Sequence, residues 1–281
     1  MSKHLVVIGD ARDMRELSDE SVQLVVTSPP YYNVKDYGAV NGNVGGVDDY
    51  NEYLQSMEEV LKECKRVLQT GRYLCVNVCD VISDGKKYAL AHHYVSLLEK
   101  LGFEYRDDII WKKPKGTGAN SSGGAGKRFG NFIQHPYPLY YFPNNVYEHV
   151  LVFRKGKTDY KQIKKTRELD MESVKANRST DIWEIHPETK NQYSGETHPA
   201  MFPEELPREI IELYSYPGET ILDPFLGSGT TMKVAKELNR NCVGYEINPD
   251  YLRIIRRKVG FYPNYPADDK FVIKFKRRLE K

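Results

Sequence analysis

The segment ILDPFLGSGTT, residues 221–231, contains the clearest indication of the fold. A short apolar run ends at Asp223, the glycine turn Gly227-Ser228-Gly229 follows, and the two threonines after it are suited to begin a helix. A strand, a glycine turn and a helix in this order bring a ligand against backbone N–H groups. The segment therefore predicts a nucleoside-binding edge of a parallel α/β sheet.

The next apolar run ends in Glu246, 19 residues after Gly227. A carboxylate about 20 residues beyond such a turn accepts hydrogen bonds from ribose hydroxyls. Met232 replaces the third glycine of GxGxxG, and no lysine completes a GK[ST] phosphate loop, so a dinucleotide or a triphosphate is disfavoured. Asp223 would also repel a pyrophosphate, whereas it can accept hydrogen bonds from an α-ammonium group. S-adenosylmethionine satisfies these constraints.

Short β-branched runs alternate with helical patterns along the rest of the chain, which is typical of a mostly parallel sheet covered by helices. We predict seven strands, at residues 4–8, 22–27, 72–78, 105–111, 149–153, 220–223 and 241–246. Apolar residues at i, i+3, i+4 and i+7 predict helices at residues 50–68, 88–101, 203–214, 230–238 and 250–259. The fold class is therefore α/β.

Composition argues against an exported, a membrane-spanning and a disulfide-rich protein, and it leaves nucleic-acid binding open. The 41 Lys and Arg nearly balance the 39 Asp and Glu, so a polyanionic partner must be inferred from where the charge lies. The chain lacks a signal-peptide pattern and any run of the ~20 apolar residues that a membrane span needs. The four cysteines form no CxxC pair, and we expect neither a metal site nor a disulfide framework.

A proline-rich corner, VVTSPPYYN at residues 25–33, directly follows a predicted strand. Two consecutive prolines remove two backbone donors and keep the chain extended, which leaves carbonyl groups unpaired. Ser28 Oγ and the Pro29 carbonyl can accept the two protons of an amino group, and Tyr31 offers a face for stacking a base. The same residues could form a purely structural turn, so the corner alone leaves both interpretations open.

TSPPY at 27–31 and DPFLGSGTT at 223–231 together resemble the amino-methyltransferase family of DNA modification enzymes. The (D/N/S)PP(Y/F) catalytic motif of that family corresponds to Ser28, Pro29, Pro30 and Tyr31, and its FxGxG cofactor motif to residues 225–229. The catalytic motif comes first, which resembles the β group of the family. The resemblance implies a Rossmann-like methyltransferase fold with a seven-stranded sheet, S-adenosyl-L-methionine as methyl donor, and methylation of a base flipped out of double-stranded DNA.

The resemblance continues at both ends of the chain. Gly9-Asp10 matches an acidic residue expected near the cofactor adenine, and HPAMFP at 198–203 matches a segment expected near the methionine end. The cofactor-binding residues that the resemblance implies are Asp10, Thr27, His198, Phe202, Asp223, Phe225, Gly227, Ser228, Gly229, Thr230 and Glu246. Trp183 also resembles a family feature, and we expect it to pack the recognition region onto the sheet.

Two regions interrupt the alternation of strands and helices. Residues 114–146 are rich in Gly and Ser and then in Pro and aromatics, which is typical of a long functional loop. Residues 154–195 are poor in apolar side chains, and nine Lys or Arg stand against four Asp or Glu between 154 and 178. Such basic groups can neutralise phosphates. The predicted DNA-binding residues are Lys113, Lys127, Arg128, Lys161, Lys164, Lys165 and Arg167.

We therefore divide the chain into three parts. Residues 1–153 form the catalytic part of the methyltransferase domain, with 114–146 as its DNA-facing loop. Residues 154–195 form an inserted target-recognition region, and residues 196–281 form the cofactor-binding part of the same domain.

The target base is predicted from Ser28. Family usage favours Ser at this position for N4 of cytosine and Asp for N6 of adenine, so we expect N4-methylcytosine, with adenine N6 as the alternative. An RNA or small-molecule N-methyltransferase and a non-catalytic DNA-binding module with the same fold are further alternatives. The resemblance also implies a cytoplasmic prokaryotic protein of a restriction-modification system. Its candidate partners are a cognate restriction endonuclease and, because the oligomeric state is open, a second copy of the chain.

Overall fold

One nine-stranded sheet organises the part of the chain that the structure, a computed structural model, describes: residues 2–32, 44–83, 86–114, 138–139, 146–188, 203–261 and 270–276. Its strands are β1 (Lys3–Ile8), β2 (Val22–Thr27), β3 (Leu68–Val78), β6 (Glu104–Lys112), β7 (Tyr147–Arg154), β8 (Ile182–Glu184), β9 (Thr220–Asp223), β10 (Asn241–Glu246) and β11 (Lys270–Phe275). A separate hairpin pairs β4 (Val81–Ser83) with β5 (Lys86–Tyr88).

The order of strands across the sheet is β11-β1-β10-β9-β2-β3-β7-β6-β8. Only β7 runs antiparallel to its neighbours β3 and β6 in this sheet, and the other pairs are parallel. Strands β1 and β2 follow one another along the chain, yet β10 and β9 lie between them. The centre of the sheet is therefore built from both ends of the sequence.

The sheet contains all seven predicted strands and is two strands wider than predicted. The expectation of a seven-stranded sheet is corrected because β8 and β11 extend its two edges. Strand β8 has only three residues, too few to show a period, and β11 mixes lysines with apolar residues and is half exposed. Edge strands of this kind give a weak sequence signal.

Helices cover both faces of the sheet. They are α1 (Tyr50–Val67), α2 (Leu90–Lys100), α3 (Met171–Arg178), α4 (Glu205–Tyr214), α5 (Thr230–Glu237) and α6 (Leu252–Val259), with short 3-10 helices at Val44–Gly46 and Pro249–Tyr251. Five of the α-helices were predicted within a few residues. Helix α3 was not predicted, because it buries none of its residues and so has no apolar stripe.

Two hydrophobic cores lie on opposite faces of the sheet. In β2, Val25 packs into the core beneath α1 and α2, whereas Leu24 and Val26 pack into the core beneath α4, α5 and α6. Successive side chains of a strand point to opposite faces, so a strand buried on both faces is apolar throughout. This explains why VQLVVT is an almost continuous apolar run.

Helix α3 and strand β8 are fixed to α4 and to the rest of the sheet. Arg178 is nearly buried, pairs with Glu205 at 2.8 Å and Glu209 at 3.0 Å, and lies over the Trp183 ring. Trp183 is 2% exposed and aligns with Trp111 of β6 in the parallel register. Trp183 therefore has the packing role that we expected.

Within the described ranges, no helix has both the length and the apolar character that crossing a membrane would require.

Gly244, in the middle of β10, provides a test of the packing beside the glycine turn. A Cβ at this position would lie 2.6 Å from Leu226 Cδ2, so Gly244→Ala should lower the free energy of unfolding by about 1–3 kcal/mol in chemical denaturation. The same substitution should cost less when Leu226→Ala has removed the clashing atoms. An equal cost in both backgrounds would show that Leu226 is not the obstacle.

Candidate active site

The proline corner and the glycine turn meet at the centre of the sheet. Strand β2 pairs with β9 in parallel, with Val25 opposite Leu222. Both strands therefore end at the same edge, and the Thr27 hydroxyl donates to Asp223 Oδ1 at 3.0 Å. Ligands of open parallel sheets bind at the carboxyl ends of the strands. The two motifs that lie almost 200 residues apart in the sequence thus form one site.

Asp223 is the anchor of the glycine turn. Its side chain is buried and accepts hydrogen bonds from Thr27, from the Phe225 N–H at 3.0 Å and from the Thr231 hydroxyl at 2.6 Å. Burial raises the pKa of Asp223 to about 6, although these hydrogen bonds oppose the shift. Three of the roughly four acceptor positions of the carboxylate are therefore occupied by the protein itself.

Glu246 lies at the end of β10, and its carboxylate binds the backbone of the glycine turn. One carboxylate oxygen accepts from the Gly227 N–H at 2.9 Å and the other from the Asn248 N–H at 2.8 Å. Burial raises the pKa of Glu246 to about 7, against the opposing effect of these two bonds. Each oxygen keeps acceptor capacity, so this carboxylate suits the two hydroxyls of a ribose.

The remaining turn residues adopt the conformation that the sequence suggests. Gly227 and Gly229 have φ angles of 53° and 90°, in the left-handed region that favours glycine, and α5 begins directly afterwards. The buried Lys258 of α6 donates to Thr230 Oγ1 at 2.6 Å and to Ser228 Oγ at 3.4 Å. Lys258 was not predicted, because it stands in a basic run that resembles a solvated helix face.

Asp10 lies beside the end of β10. The neighbouring Gly9 N–H donates to the Glu246 carbonyl at 2.9 Å, which places this turn against the carboxylate that suits a ribose. The Asp10 carboxylate itself accepts from the Arg12 N–H at 2.8 Å and from the Arg12 guanidinium at 2.6 Å. Asp10 therefore lies near the carboxyl edge of the sheet, but its carboxylate is held by Arg12.

Buried tyrosines and a closely packed glycine fix the backbone of the proline corner. The Tyr53 hydroxyl donates to the Pro30 carbonyl at 3.0 Å and contacts the Tyr94 hydroxyl at 2.9 Å. Gly45 of the first 3-10 helix packs so closely on Pro30 that a Cβ there would lie 2.7 Å from the Pro30 Cβ. The corner is therefore a fixed part of the core.

The side chains of the corner enter a buried polar cluster. Asn77 Nδ2, on β3, donates to Ser28 Oγ at 3.3 Å and to Glu148 Oε2 at 2.8 Å. The Tyr31 hydroxyl donates to the same Glu148 oxygen at 2.8 Å, and Lys113 Nζ lies 2.6 Å from the other. We call these five residues the corner cluster. Sequence reasoning missed Asn77 and Glu148, although a polar residue inside the apolar run YLCVNV was a usable signal.

The predicted DNA-binding residues lie in different environments. Lys113 belongs to the corner cluster, with its side chain only 12% exposed. Lys161, Lys164 and Lys165 are exposed between β7 and α3, and Arg167 pairs with Glu212 of α4 at 3.1 Å. Four further predicted site residues lie outside the described residues, namely Lys127, Arg128, His198 and Phe202.

The fold and this site define a class of α/β protein that binds a nucleoside cofactor at the carboxyl edge of its sheet. The sequence profile of the DNA methylase family, N6_N4_Mtase, matches residues 22–257. The chain is 34% identical to the Type II methyltransferase M.MjaI of Methanocaldococcus jannaschii over 295 aligned positions, which cover 92% of each chain. The chain therefore belongs to the N4/N6 family of DNA methyltransferases.

Two solved structures share the fold. TTHA0409 of Thermus thermophilus, complexed with S-adenosyl-L-methionine, is 26% identical with a TM-score of 0.68, covering 98% of this chain and 100% of that one. The PvuII DNA methyltransferase, cytosine-N4-specific, is 22% identical with a TM-score of 0.69, covering 95% of this chain and 89% of that one. The predictions of the fold class and of S-adenosyl-L-methionine as the cofactor are confirmed.

Because the pKa of Glu246 is about 7, we expect cofactor binding to depend on pH. Below pH 7 its carboxyl group becomes protonated and loses acceptor capacity for the ribose, so cofactor affinity should fall by about tenfold between pH 8 and pH 6 in calorimetric titrations. Glu246→Gln should bind more weakly and show a flatter pH dependence. The same slope in both proteins would exclude Glu246 from the ribose contact.

Proposed function

We propose that this DNA methyltransferase transfers the methyl group to N4 of cytosine in double-stranded DNA, after flipping the base out of the helix. The observation that carries the proposal is the position of Ser28 and Pro29, which follow β2 directly beside the cofactor turn that follows β9. A flipped base whose amino group binds this corner lies next to the methyl donor. An exocyclic amine in a paired base is otherwise blocked by stacking and pairing.

The acceptors of the corner match the two protons of an amino group. Among the described residues, Tyr53 donates to the Pro30 carbonyl, whereas no described residue donates to the Pro29 carbonyl. The Pro29 carbonyl and Ser28 Oγ can therefore accept from the substrate amine and stabilise the positive charge that develops on its nitrogen. When bound, S-adenosyl-L-methionine supplies the methyl group on an electrophilic sulfonium.

Tyr31 is proposed to stack on the flipped base. Its hydroxyl is tied to Glu148, so its ring has a fixed orientation before DNA arrives. A pre-oriented aromatic face contributes about 1–3 kcal/mol per stacked base and accepts any base, so it supports flipping without setting the target.

The choice of cytosine rests on Ser28 and is supported by the shared fold of the PvuII enzyme, which is cytosine-N4-specific. The name of M.MjaI as a Type II methyltransferase supports a role in a restriction-modification system beside a cognate endonuclease. We keep methylation of adenine N6 as the alternative product, because the same corner can accept either amine.

Substitution of Ser28 tests the proposal directly. Ser28→Ala removes an acceptor that matters most as charge develops, so methyl transfer should fall by about 10²-fold or more while cofactor and DNA affinities hold. The exposed Ser18→Ala serves as control. Mass spectrometry of nucleosides should identify N4-methylcytosine in DNA treated with the unaltered protein. N6-methyladenine alone would refute the cytosine assignment, and undiminished turnover by Ser28→Ala would refute the role of Ser28.

The exposed lysines between β7 and α3 are proposed to bind DNA phosphates. Lys164→Gln/Lys165→Gln should weaken DNA binding and lower the slope of log affinity against log salt by up to about 1.8, or about 0.9 per lost phosphate contact, without changing cofactor affinity. The control is Lys270→Gln/Lys274→Gln, two exposed lysines on β11 at the opposite edge of the sheet. Equal slopes in the two double variants would place the DNA interface elsewhere.

A further inference from the structure

Glu148 is a buried carboxylate that touches the catalytic motif from a neighbouring strand. It lies near the start of β7, opposite Trp111 of β6, and its side chain is 12% exposed. Its oxygens bind Tyr31, Asn77 and Lys113 at 2.6–2.8 Å. A buried carboxylate costs much desolvation energy unless such donors surround it.

Glu148 is ionised in the folded protein. Burial raises its pKa, but Lys113 and the hydrogen bonds of Asn77 and Tyr31 more than offset this effect, so the pKa of Glu148 lies below its ordinary value. Burial and the same negative charge hold the pKa of the Tyr31 phenol well above its usual range. Tyr31 therefore keeps its proton and remains a donor to Glu148.

The charge on Glu148 also dictates how the Asn77 amide is turned. With Nδ2 toward Glu148, the same nitrogen donates to Ser28 Oγ at 3.3 Å and to the Tyr31 hydroxyl at 3.2 Å. The Asn77 Oδ1 is left buried without a hydrogen-bond partner among the described residues. The opposite orientation would bring Oδ1 against the carboxylate. The Asn77 carbonyl oxygen thus has no hydrogen bond among the described residues, whereas the Asn77 amide N–H donates to Ser28.

We propose that Glu148 is a positioning residue for methyl transfer, which fixes the ring of Tyr31 directly and the hydroxyl of Ser28 through Asn77. Since Asn77 donates to Ser28 Oγ, one lone pair of that hydroxyl is occupied, and the other lone pair and the proton share the two remaining directions. Lys113 keeps Glu148 charged in its buried position. The inference rests on the proposed roles of Ser28 and Tyr31 in binding and stacking the target base.

The test is a double-mutant cycle read by single-turnover transfer of a radiolabelled methyl group from the cofactor to DNA. Glu148→Gln should slow transfer by about 10–100-fold, with cofactor affinity within about twofold of the unaltered protein, because misplacement of the corner affects the reacting geometry. Asn77→Ala should slow transfer similarly. The double variant should be no slower than the slower single variant, because both act along one path.

A matched control is available in the ion pair between Glu58 of α1 and Lys100 of α2, at 3.1 Å, which lies outside the corner cluster. Glu58→Gln should leave the transfer rate unchanged. If Glu148→Gln transfers within about twofold of the unaltered rate, Glu148 has no positioning role. If its effect multiplies with that of Asn77→Ala, Glu148 does not act on Ser28 through Asn77, and that part of the inference is refuted.

A second variant tests the inference if Glu148→Gln fails to fold. Glu148→Gln removes the carboxylate that pairs with Lys113, so Lys113→Met/Glu148→Gln removes both charges together and should fold even where the single variant does not. This variant should show the same slow transfer, and a normal rate would overturn the inference. The label reports transfer to any base, so the inference is tested even if nucleoside analysis refutes cytosine N4.

Discussion

The parallel pairing of β2 with β9 is the constraint on which the site depends. Parallel strands end at the same edge, so this pairing brings the proline corner and the glycine turn together, and the hydrogen bond from Thr27 to Asp223 joins them. The buried cores on both faces of the sheet then hold the two motifs at a fixed separation. Transfer between two bound molecules needs such fixed placement more than it needs a reactive side chain.

Buried carboxylates have two different roles at this edge. Asp223 and Glu246 face neutral N–H and O–H donors, and their pKa values rise to about 6 and about 7. Glu148 has a lysine beside it, and its pKa is lowered despite similar burial. The first two carboxylates therefore lie where protonation can influence ligand binding near neutral pH, whereas the third provides a permanent charge. One adjacent cation accounts for this difference.

The sequence was sufficient where structure depends on local patterns. Seven strands, the glycine turn and the Ser-Pro-Pro-Tyr corner all have short-range signatures, and the structure contains each of them. Asn77, Glu148 and Lys258 were missed because their roles arise from contacts between residues far apart in the chain, which depend on strand register. Lys113 was predicted as a DNA-binding residue, and its contact with Glu148 was missed for the same reason. Register places it beside Glu148.

The strand order has a consequence for how the protein is made. Strands β1 and β2 leave the ribosome early, but β9 and β10, which fill the gap between them, follow almost 200 residues later. At ordinary rates of translation this interval lasts roughly 10–40 s, during which the inner edges of β1 and β2 have no partners. Unpaired edges invite aggregation, and such distant pairings form slowly. A nascent chain that stops before β10 carries the proline corner on an open sheet and is a substrate for chaperones or proteases.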